Sequence, residues 1–467
     1  MLDNLPIELI NNITRFLDDI YIIRLSTVFP YIKFTLNDYY SENTIKKSNK
    51  FIFKKVSKCR NLNNLPKYIN SLELSIFFNR LILFLPYNIK VLEIPNSYNH
   101  PLNLGNTRIH TLKFYKTEEN LWNFQEYFNN TIISLPKTLE TLVLQDGFNQ
   151  PLPIIPKLKY LSIKGFGFNQ SIQNLPETLK YLNLGESFNK EISNLPNLRI
   201  LKLNGLFNKP LNNLSEKLEM LTLSEKFNQP LDNLPSNLKK LSLRPLIDYN
   251  EVWEYIQSPF NKPINNLPIN LVELTLGSKF NQSLDKLPPS LKILSLGINF
   301  NQTINNLPRS LEKLLIYGKF NQPINNLPQN LKYLYLGTDF NHPIDYLPDS
   351  LIHLEITGVF NQPISKLPSN LKYLIFGTYI YGLDYINNNY MYGRLKGISK
   401  FNKKINLPEN LEYLIFSEKS DFNTYIEKFP KNMKELKLPR LYNAEICNYD
   451  NVKLVSVGIT HLKIDIT

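Results

Sequence analysis

The chain has 467 residues, of which 20% are charged and 43% hydrophobic, and its formal net charge is +13 at pH 7. Its two cysteines, Cys59 and Cys447, are too few for a disulfide framework, and no apolar stretch resembles a signal peptide or a membrane span. We therefore expect an intracellular protein, in the cytoplasm or the nucleus, without a membrane partner.

The N-terminal segment has the hydrophobic spacing of short helices. Leu-Pro-Ile-Glu-Leu at residues 5–9 places a proline in the first turn of a helix and a glutamate near its positive end. Apolar residues then recur at helical spacing up to Leu17 and again before Pro30, and we assign a third short helix to Ile32, Phe34 and Leu36. The pattern predicts a three-helix module over residues 1–45.

The same residues resemble an F-box, whose opening is a Leu-Pro pair, a Glu-Leu pair, and then apolar residues at helical intervals. The resemblance implies that this module binds the Skp-type adaptor of a cullin ubiquitin ligase. The adaptor-binding residues that it implies are Leu5, Pro6, Leu9, Ile13 and Leu17. The alternative is that residues 1–45 only cap the array of repeats that follows.

Residues 46–60 form a basic linker, in which seven of the fifteen residues are lysine or arginine. Such a cluster is typical of a solvated cover over the first repeat. It is also compatible with a nuclear-localisation or nucleic-acid-binding patch, and the net charge allows the same alternative.

From residue 61 onward the sequence is periodic. Phe-Asn occurs fifteen times, and six of these pairs, from Phe260 to Phe360, follow one another at an unbroken interval of 20 residues. Between them run a Leu-x-Leu pattern, as at Leu334 and Leu336, and an Ile-x-x-Leu-Pro pattern, as at Ile344 and Leu347. The period-2 leucines predict a short strand, and the prolines exclude a regular helix from the return.

A single coil of about 20 residues cannot fold alone, because ordering it costs on the order of 30 kcal/mol, whereas burial of its six apolar side chains contributes roughly 12 kcal/mol. The coils must therefore stack. The repeated Asn is expected to face the inside of the stack and to bond the backbone of its own and the adjacent coil.

The repeat resembles the FNIP repeat, a leucine-rich-repeat relative known from social amoebae and from giant viruses that infect amoebae. Residues 320–328, Phe-Asn-Gln-Pro-Ile-Asn-Asn-Leu-Pro, are close to the signature of that family. If the chain is viral, its compartment is the cytoplasm of the host cell. The combined expectation is an α+β repeat protein, in which a three-helix F-box-like module precedes a leucine-rich-repeat-like solenoid with one short parallel strand per coil.

The predicted solenoid covers residues 61–440, with loop insertions at about 244–259 and 377–399, and residues 441–467 form a C-terminal cap. Residues between the buried strand leucines are expected to point outward on a concave face. The residues predicted to bind a partner there are Leu315, Tyr335, Ile375 and Ile415, with Tyr333, Tyr373 and Tyr413 beside them. Large aromatic and aliphatic residues are typical of interface hot spots, although each tyrosine could equally pack against its neighbouring coil.

No pattern of nucleophile, metal ligands or glycine-rich phosphate loop occurs, so we expect no enzyme activity, no metal and no cofactor. The five histidines are scattered among the repeats. The first functional hypothesis is a substrate-recognition subunit of a Skp–cullin–F-box ubiquitin ligase that binds a target protein through its repeats. The second is a repeat-built binding scaffold without a ubiquitin connection, and the third is a basic protein associated with nucleic acid.

Overall fold

The computed structural model describes the strands Phe34–Tyr40 and Phe51–Cys59, residues 62 and 65, residues 69–116, 127–192, 194–243, 258–377 and 399–444, and the strands Leu454–Val457 and Thr460–Leu462. The chain divides into two compact units, Met1–Gly205 (unit 1) and Leu206–Thr467 (unit 2). Each unit is a stack of coils with parallel strands.

Unit 1 pairs its strands in parallel, each with that of the next coil, and two short strands of the return arms form a separate parallel pair, β5 with β7. The strands are β1 Phe34–Tyr40, β2 Phe51–Cys59, β3 Ser71–Leu74, β4 Val91–Pro95, β5 Leu102–Asn103, β6 Thr111–Tyr115, β7 Ile132–Ser134, β8 Thr141–Leu144, β9 Tyr160–Ile163, β10 Tyr181–Leu184 and β11 Ile200–Leu203.

Unit 2 repeats the arrangement and ends in an antiparallel pair, β22 with β23. The strands are β12 Met220–Thr222, β13 Lys240–Ser242, β14 Glu273–Thr275, β15 Ile293–Leu296, β16 Lys313–Ile316, β17 Tyr333–Leu336, β18 His353–Ile356, β19 Tyr373–Phe376, β20 Tyr413–Phe416, β21 Glu435–Leu438, β22 Leu454–Val457 and β23 Thr460–Leu462.

The coil that contains β17 shows how the repeat folds. The leucines of its strand are fully buried, and the Phe-Asn and Ile-x-x-Leu-Pro positions that follow bury Phe340 and Ile344 as well. The Leu331 N–H donates to the carbonyl of Pro328 at 3.1 Å, and this hydrogen bond closes the turn before the strand. The next two N–H groups, of Lys332 and Tyr333, donate to the carbonyl of Glu312 in the coil before. The backbone of each coil is thus satisfied by its neighbour.

Two columns run through the stacked coils at the Phe-Asn pair. Within unit 2, Phe280, Phe300 and Phe320 are fully buried, with centroids 6.3 and 6.1 Å apart. Next to this column, the Asn321 N–H donates to Oδ1 of Asn301 at 2.9 Å, and the same bond recurs from coil to coil. The expected bond to the adjacent coil is confirmed. The expected inward direction is wrong, since Asn301 and Asn321 are exposed.

The coils on either side of each long interruption stack directly on each other. β13 pairs in register with β14, and Phe227 stacks on Phe260 at 6.4 Å. β19 pairs with β20, and Phe360 stacks on Phe401 at 5.8 Å. The residues inside the interruptions, 244–257 and 378–398, lie outside the described part of the chain.

The α+β class predicted from the sequence is wrong, because the described residues contain strands and turns and no helix. The predicted third helix, from Ile32 to Leu36, overlaps β1 in the sequence. β1 pairs in parallel with β2, and the register places Phe34 opposite Phe51. Aromatic residues and threonine favour a strand, and a pairing partner decides between the two states. The first two predicted helices lie outside the described residues. β2 itself lies within the segment predicted as a basic linker.

Candidate functional site

The strand face of unit 2 carries three rows of side chains, one residue per coil, because β15 to β21 pair in register. The charged row, just before each strand, is Lys292, Glu312, Lys332, Ile352, Lys372, Glu412 and Lys434. The aromatic row, at the first strand position, is Lys313, Tyr333, His353, Tyr373 and Tyr413. The middle row, two residues later, is Leu315, Tyr335, Glu355, Ile375 and Ile415.

The middle row is closed to solvent at four of its five positions. Leu315, Tyr335, Ile375 and Ile415 are only 7, 6, 6 and 5% exposed, so they offer little accessible surface to a partner, and their role in binding stays a prediction. In-register strands lie about 4.8 Å apart, and large side chains at that spacing cover one another. Burial, the largest effect, and the nearby Glu355 charge both raise the pKa of Tyr335.

The aromatic row forms a continuous stack that stays half-buried. The Tyr333 and His353 centroids are 4.2 Å apart, those of His353 and Tyr373 are 5.3 Å apart, and those of Tyr373 and Tyr413 are 4.6 Å apart. Lys313 caps one end, with its ammonium 4.6 Å from the Tyr333 centroid. Stacked rings held on a sheet lose little freedom when a partner covers them, which is why aromatic residues serve as interface anchors.

The charged row is symmetric about Ile352. On one side Glu312 pairs with Lys292 at 3.1 Å and Lys332 at 2.8 Å, and on the other Glu412 pairs with Lys372 at 3.1 Å and Lys434 at 2.5 Å. The Lys332 hydrogen bond lowers the pKa of Glu312, and the Lys434 hydrogen bond that of Glu412. The lysines are about half exposed and the Glu412 side chain only 15%, so the row presents mainly positive charge.

The coil that contains Ile352 and His353 lies at the centre of the charged row and of the aromatic row, and it combines an apolar, an aromatic and a charged side chain. Ile352 is partly exposed, and the His353 ring lies between two tyrosines. Glu355, the polar member of the middle row, places Oε2 3.8 Å from His353 Nε2 and 3.4 Å from the Tyr333 hydroxyl. An apolar centre, an aromatic stack and flanking ammonium groups can bind a protein segment, but this arrangement contains no nucleophile activated by a base.

The other residues singled out from the sequence have simpler surroundings. Leu5, Pro6, Leu9, Ile13 and Leu17 lie outside the described residues. His100 and His342 each place Nε2 about 3 Å from the carbonyl of an Asn in the preceding coil, at the position where several other repeats have a glutamine. Among the described residues, no group of three or more His, Cys, Asp or Glu side chains could hold a metal. No helix long and apolar enough to span a membrane occurs among them.

A profile of the FNIP Repeat matches residues 280–318, 320–358 and 344–379. This stretch of the chain carries FNIP repeats. These repeats contain four of the five residues of the aromatic row and five of the seven residues of the charged row. The register of the FNIP coils therefore positions the candidate site.

The solved structures that are similar to this chain include the following two. One is the LRR protein CroV588, described as a novel circular LRR protein structure, with 26% identity, a TM-score of 0.49, and coverage of 87% of this chain and 78% of that one. The other is YopM from Yersinia enterocolitica, with 18% identity, a TM-score of 0.39, and coverage of 84% of both chains. No curated protein matches the sequence.

Sequence reasoning found the aromatic row and missed the charged row. The signal was present, because Lys or Glu occurs just before the strand of nearly every FNIP coil. The register of the strands shows why the charges alternate, because it places Glu412 between Lys372 and Lys434. Lys372 precedes Glu412 by 40 residues and Lys434 follows it by 22, so the sequence alone does not bring them together.

Proposed function

We propose that this protein is a repeat-built scaffold that binds another protein through the aromatic and charged rows of unit 2. The observation that carries the proposal is the half-buried stack from Tyr333 to Tyr413, flanked by partly exposed lysines. Rings that are already ordered, with an electrostatic rim beside them, have the arrangement of an interface core and its edge.

Site-specific photocrosslinking tests this surface in the full-length protein. A photoreactive phenylalanine at position 373 is expected to form adducts with a partner protein in cells. The same group at position 346 is the control, because Tyr346 is 69% exposed on a return arm of the same unit. The proposal fails if position 373 forms no protein adduct, or if positions 373 and 346 capture the same proteins equally.

A double variant distinguishes loss of the binding surface from loss of the fold. Tyr373→Thr with Tyr413→Thr removes the rings and leaves a residue that the same strand position already holds in unit 1, at Thr111 and Thr141. We expect the crosslinked partner to be lost from pull-downs of this variant, while its circular dichroism matches that of the wild type.

A second candidate function rests on the sequence of residues 5–17. Its Leu-Pro-Ile-Glu-Leu opening favours binding of a Skp-type adaptor and, through it, a cullin, which would make the scaffold a substrate-recognition subunit of a ubiquitin ligase. Leu5→Ala with Pro6→Ala is expected to abolish co-purification with the adaptor and to leave the partner of unit 2 bound. If the wild-type protein never co-purifies with an adaptor, the ligase function is excluded and the scaffold function stands.

A further inference from the structure

The return arms of the first coils in unit 1 differ from those elsewhere at two outward positions. In most coils the fifth and sixth residues after the Phe of Phe-Asn are polar, as in Asn305-Asn306 and Asn325-Asn326. In unit 1 these positions hold Leu83-Phe84, Ile133 and Ile154. These side chains are 73, 85, 60 and 75% exposed, and Leu81 beside them is 52% exposed.

The register of the coils places these side chains on one face. The ring centroids of Phe78, Tyr98, Phe128 and Phe148 succeed one another at 6.3, 6.2 and 5.7 Å. The return arms keep this order, and those of the second and third coils pair as β5 and β7. Leu81, Leu83, Phe84, Ile133 and Ile154 therefore lie on one face, the apolar arm face, to which the second coil contributes the exposed Asn103. Large apolar side chains that are each more than half exposed and lie on one face of a protein mark an interaction site.

The charged residues of the return arms around the apolar arm face are all cations. The four return arms, residues 79–88, 99–108, 129–138 and 149–158, contain Arg80, Arg108, Lys137 and Lys157, all exposed, and no Asp or Glu. The Arg108 guanidinium lies 4.1 Å from the centroid of the Tyr87 ring, so an aromatic ring also borders the face. In unit 2, by contrast, several return arms carry both signs, as at Asp285 and Lys286.

We propose that the apolar arm face binds an anionic lipid membrane. Separate Phe, Leu and Ile side chains on a rigid row can insert between the headgroups and acyl chains of a bilayer whatever the distance between them. The lysines and arginines of the same return arms can bind acidic lipid headgroups. A protein partner would need a matching pocket for each projecting side chain and carboxylates between those pockets. This inference concerns unit 1 and is independent of the partner proposed for unit 2.

Vesicle flotation of the full-length protein tests the proposal. We expect binding to vesicles of phosphatidylcholine with about one-third phosphatidylserine to exceed binding to phosphatidylcholine alone by at least about tenfold. Added salt should weaken the binding, because the electrostatic part is screened. No flotation on the anionic vesicles would overturn the proposal.

Two variants and a matched control identify the surface. The arm variant, Leu83→Asn, Phe84→Asn, Ile133→Asn and Ile154→Asn, installs a residue that other coils hold at these positions and should fold with an unchanged thermal transition. The charge variant, Lys137→Gln with Lys157→Gln, leaves the apolar side chains in place. Each should weaken binding by on the order of tenfold or more. Tyr346→Asn, at the equivalent position of unit 2, should leave it unchanged.

The other occupants of this face give different results. If the arm variant floats as well as the wild type, general attraction between a cationic protein and the vesicles explains the binding, and the proposal fails. If sedimentation velocity shows wild-type dimers and monomers of the arm variant, without lipid binding, the face joins two copies of the chain. If a glutamate-rich peptide binds this face and the vesicles do not, the partner is an acidic protein segment. Each of the last two results also overturns the proposal.

Discussion

At the scale of single residues, the recurring Asn connects one coil to the next. Asn301 Oδ1 accepts the Asn321 N–H at 2.9 Å and the Gln322 Nε2–H at 3.2 Å. The sequence predicted a bond to the adjacent coil because the amide of an Asn at a tight bend can reach backbone groups there. It could not predict exposure, which depends on how neighbouring coils cover each other. The same is true of Tyr335, an outward position by strand alternation that its neighbours in the middle row bury.

The bond made by Asn301 can be tested with two substitutions. Asn301→Ala removes the acceptor of two donors and should lower the free energy of unfolding by about 1 kcal/mol, since the site is exposed and water replaces part of the bond. Asn301→Asp keeps an acceptor oxygen and should cost less. Urea denaturation measures both. Equal losses for the two variants would mean that the oxygen is not the stabilising group.

At the scale of elements, strands could be predicted from sequence wherever Leu-x-Leu and Phe-Asn coincide, and most of the described strands follow that pattern. The prediction was wrong for the segment at β1, where a third helix was expected to hold Phe34 and Leu36 and the chain pairs with β2 instead. Local spacing is ambiguous over so few residues, and the hydrogen-bonding partner, which lies beyond a ten-residue interval, decides the outcome. The charged row was missed for the same reason.

The carboxylate of Glu412 predicts a pH dependence. Its pKa is lowered from an ordinary 4.5, first by the hydrogen bond from Lys434. The stabilisation is therefore complete above the pKa of the unfolded chain and is lost as the pH falls through the lower pKa of the folded state. At pH 7 Glu412→Gln should lower the melting temperature slightly, by the equivalent of about 1 kcal/mol or less. The difference should vanish in acid. A gap that persists at low pH would indicate lost packing instead.

The interruption after β13 predicts a tolerated deletion. Leu276 and Phe280 are 4 residues apart in an uninterrupted coil, and Leu243 and Phe260 are 17 apart, so removal of residues 244–256 restores the ordinary spacing. Because β13 already pairs with β14, and Phe227 already stacks on Phe260, the deletion should leave the thermal transition nearly unchanged. Removal of 13 residues from an uninterrupted coil, 277–289, is the matched control and should be strongly destabilising. A collapse of the first variant would show that the insertion stabilises the stack.

At the scale of the whole molecule, stability is a sum of coils and of contacts between successive coils. Strand pairs and ring stacks join residues about 20 positions apart, and each coil of a unit contacts mainly its two neighbours. The period predicted stacking of this kind over residues 61–440. It gives little indication of a division into two units, apart from the single 19-residue step between Phe188 and Phe207 near their boundary at Gly205.

Stacking in one dimension predicts how far a defect spreads. Phe300 is fully buried between Phe280 and Phe320, so Phe300→Ala should open a cavity and cost about 3–5 kcal/mol. Because coupling passes from neighbour to neighbour, amide hydrogen exchange should accelerate most in β14 to β17 and only weakly in β20 and β21 of the same unit. Tyr346→Ala, an exposed position of unit 2, should change exchange only at its own coil. Uniform acceleration from β14 to β21 would show that unit 2 unfolds as one cooperative body and would contradict the nearest-neighbour description.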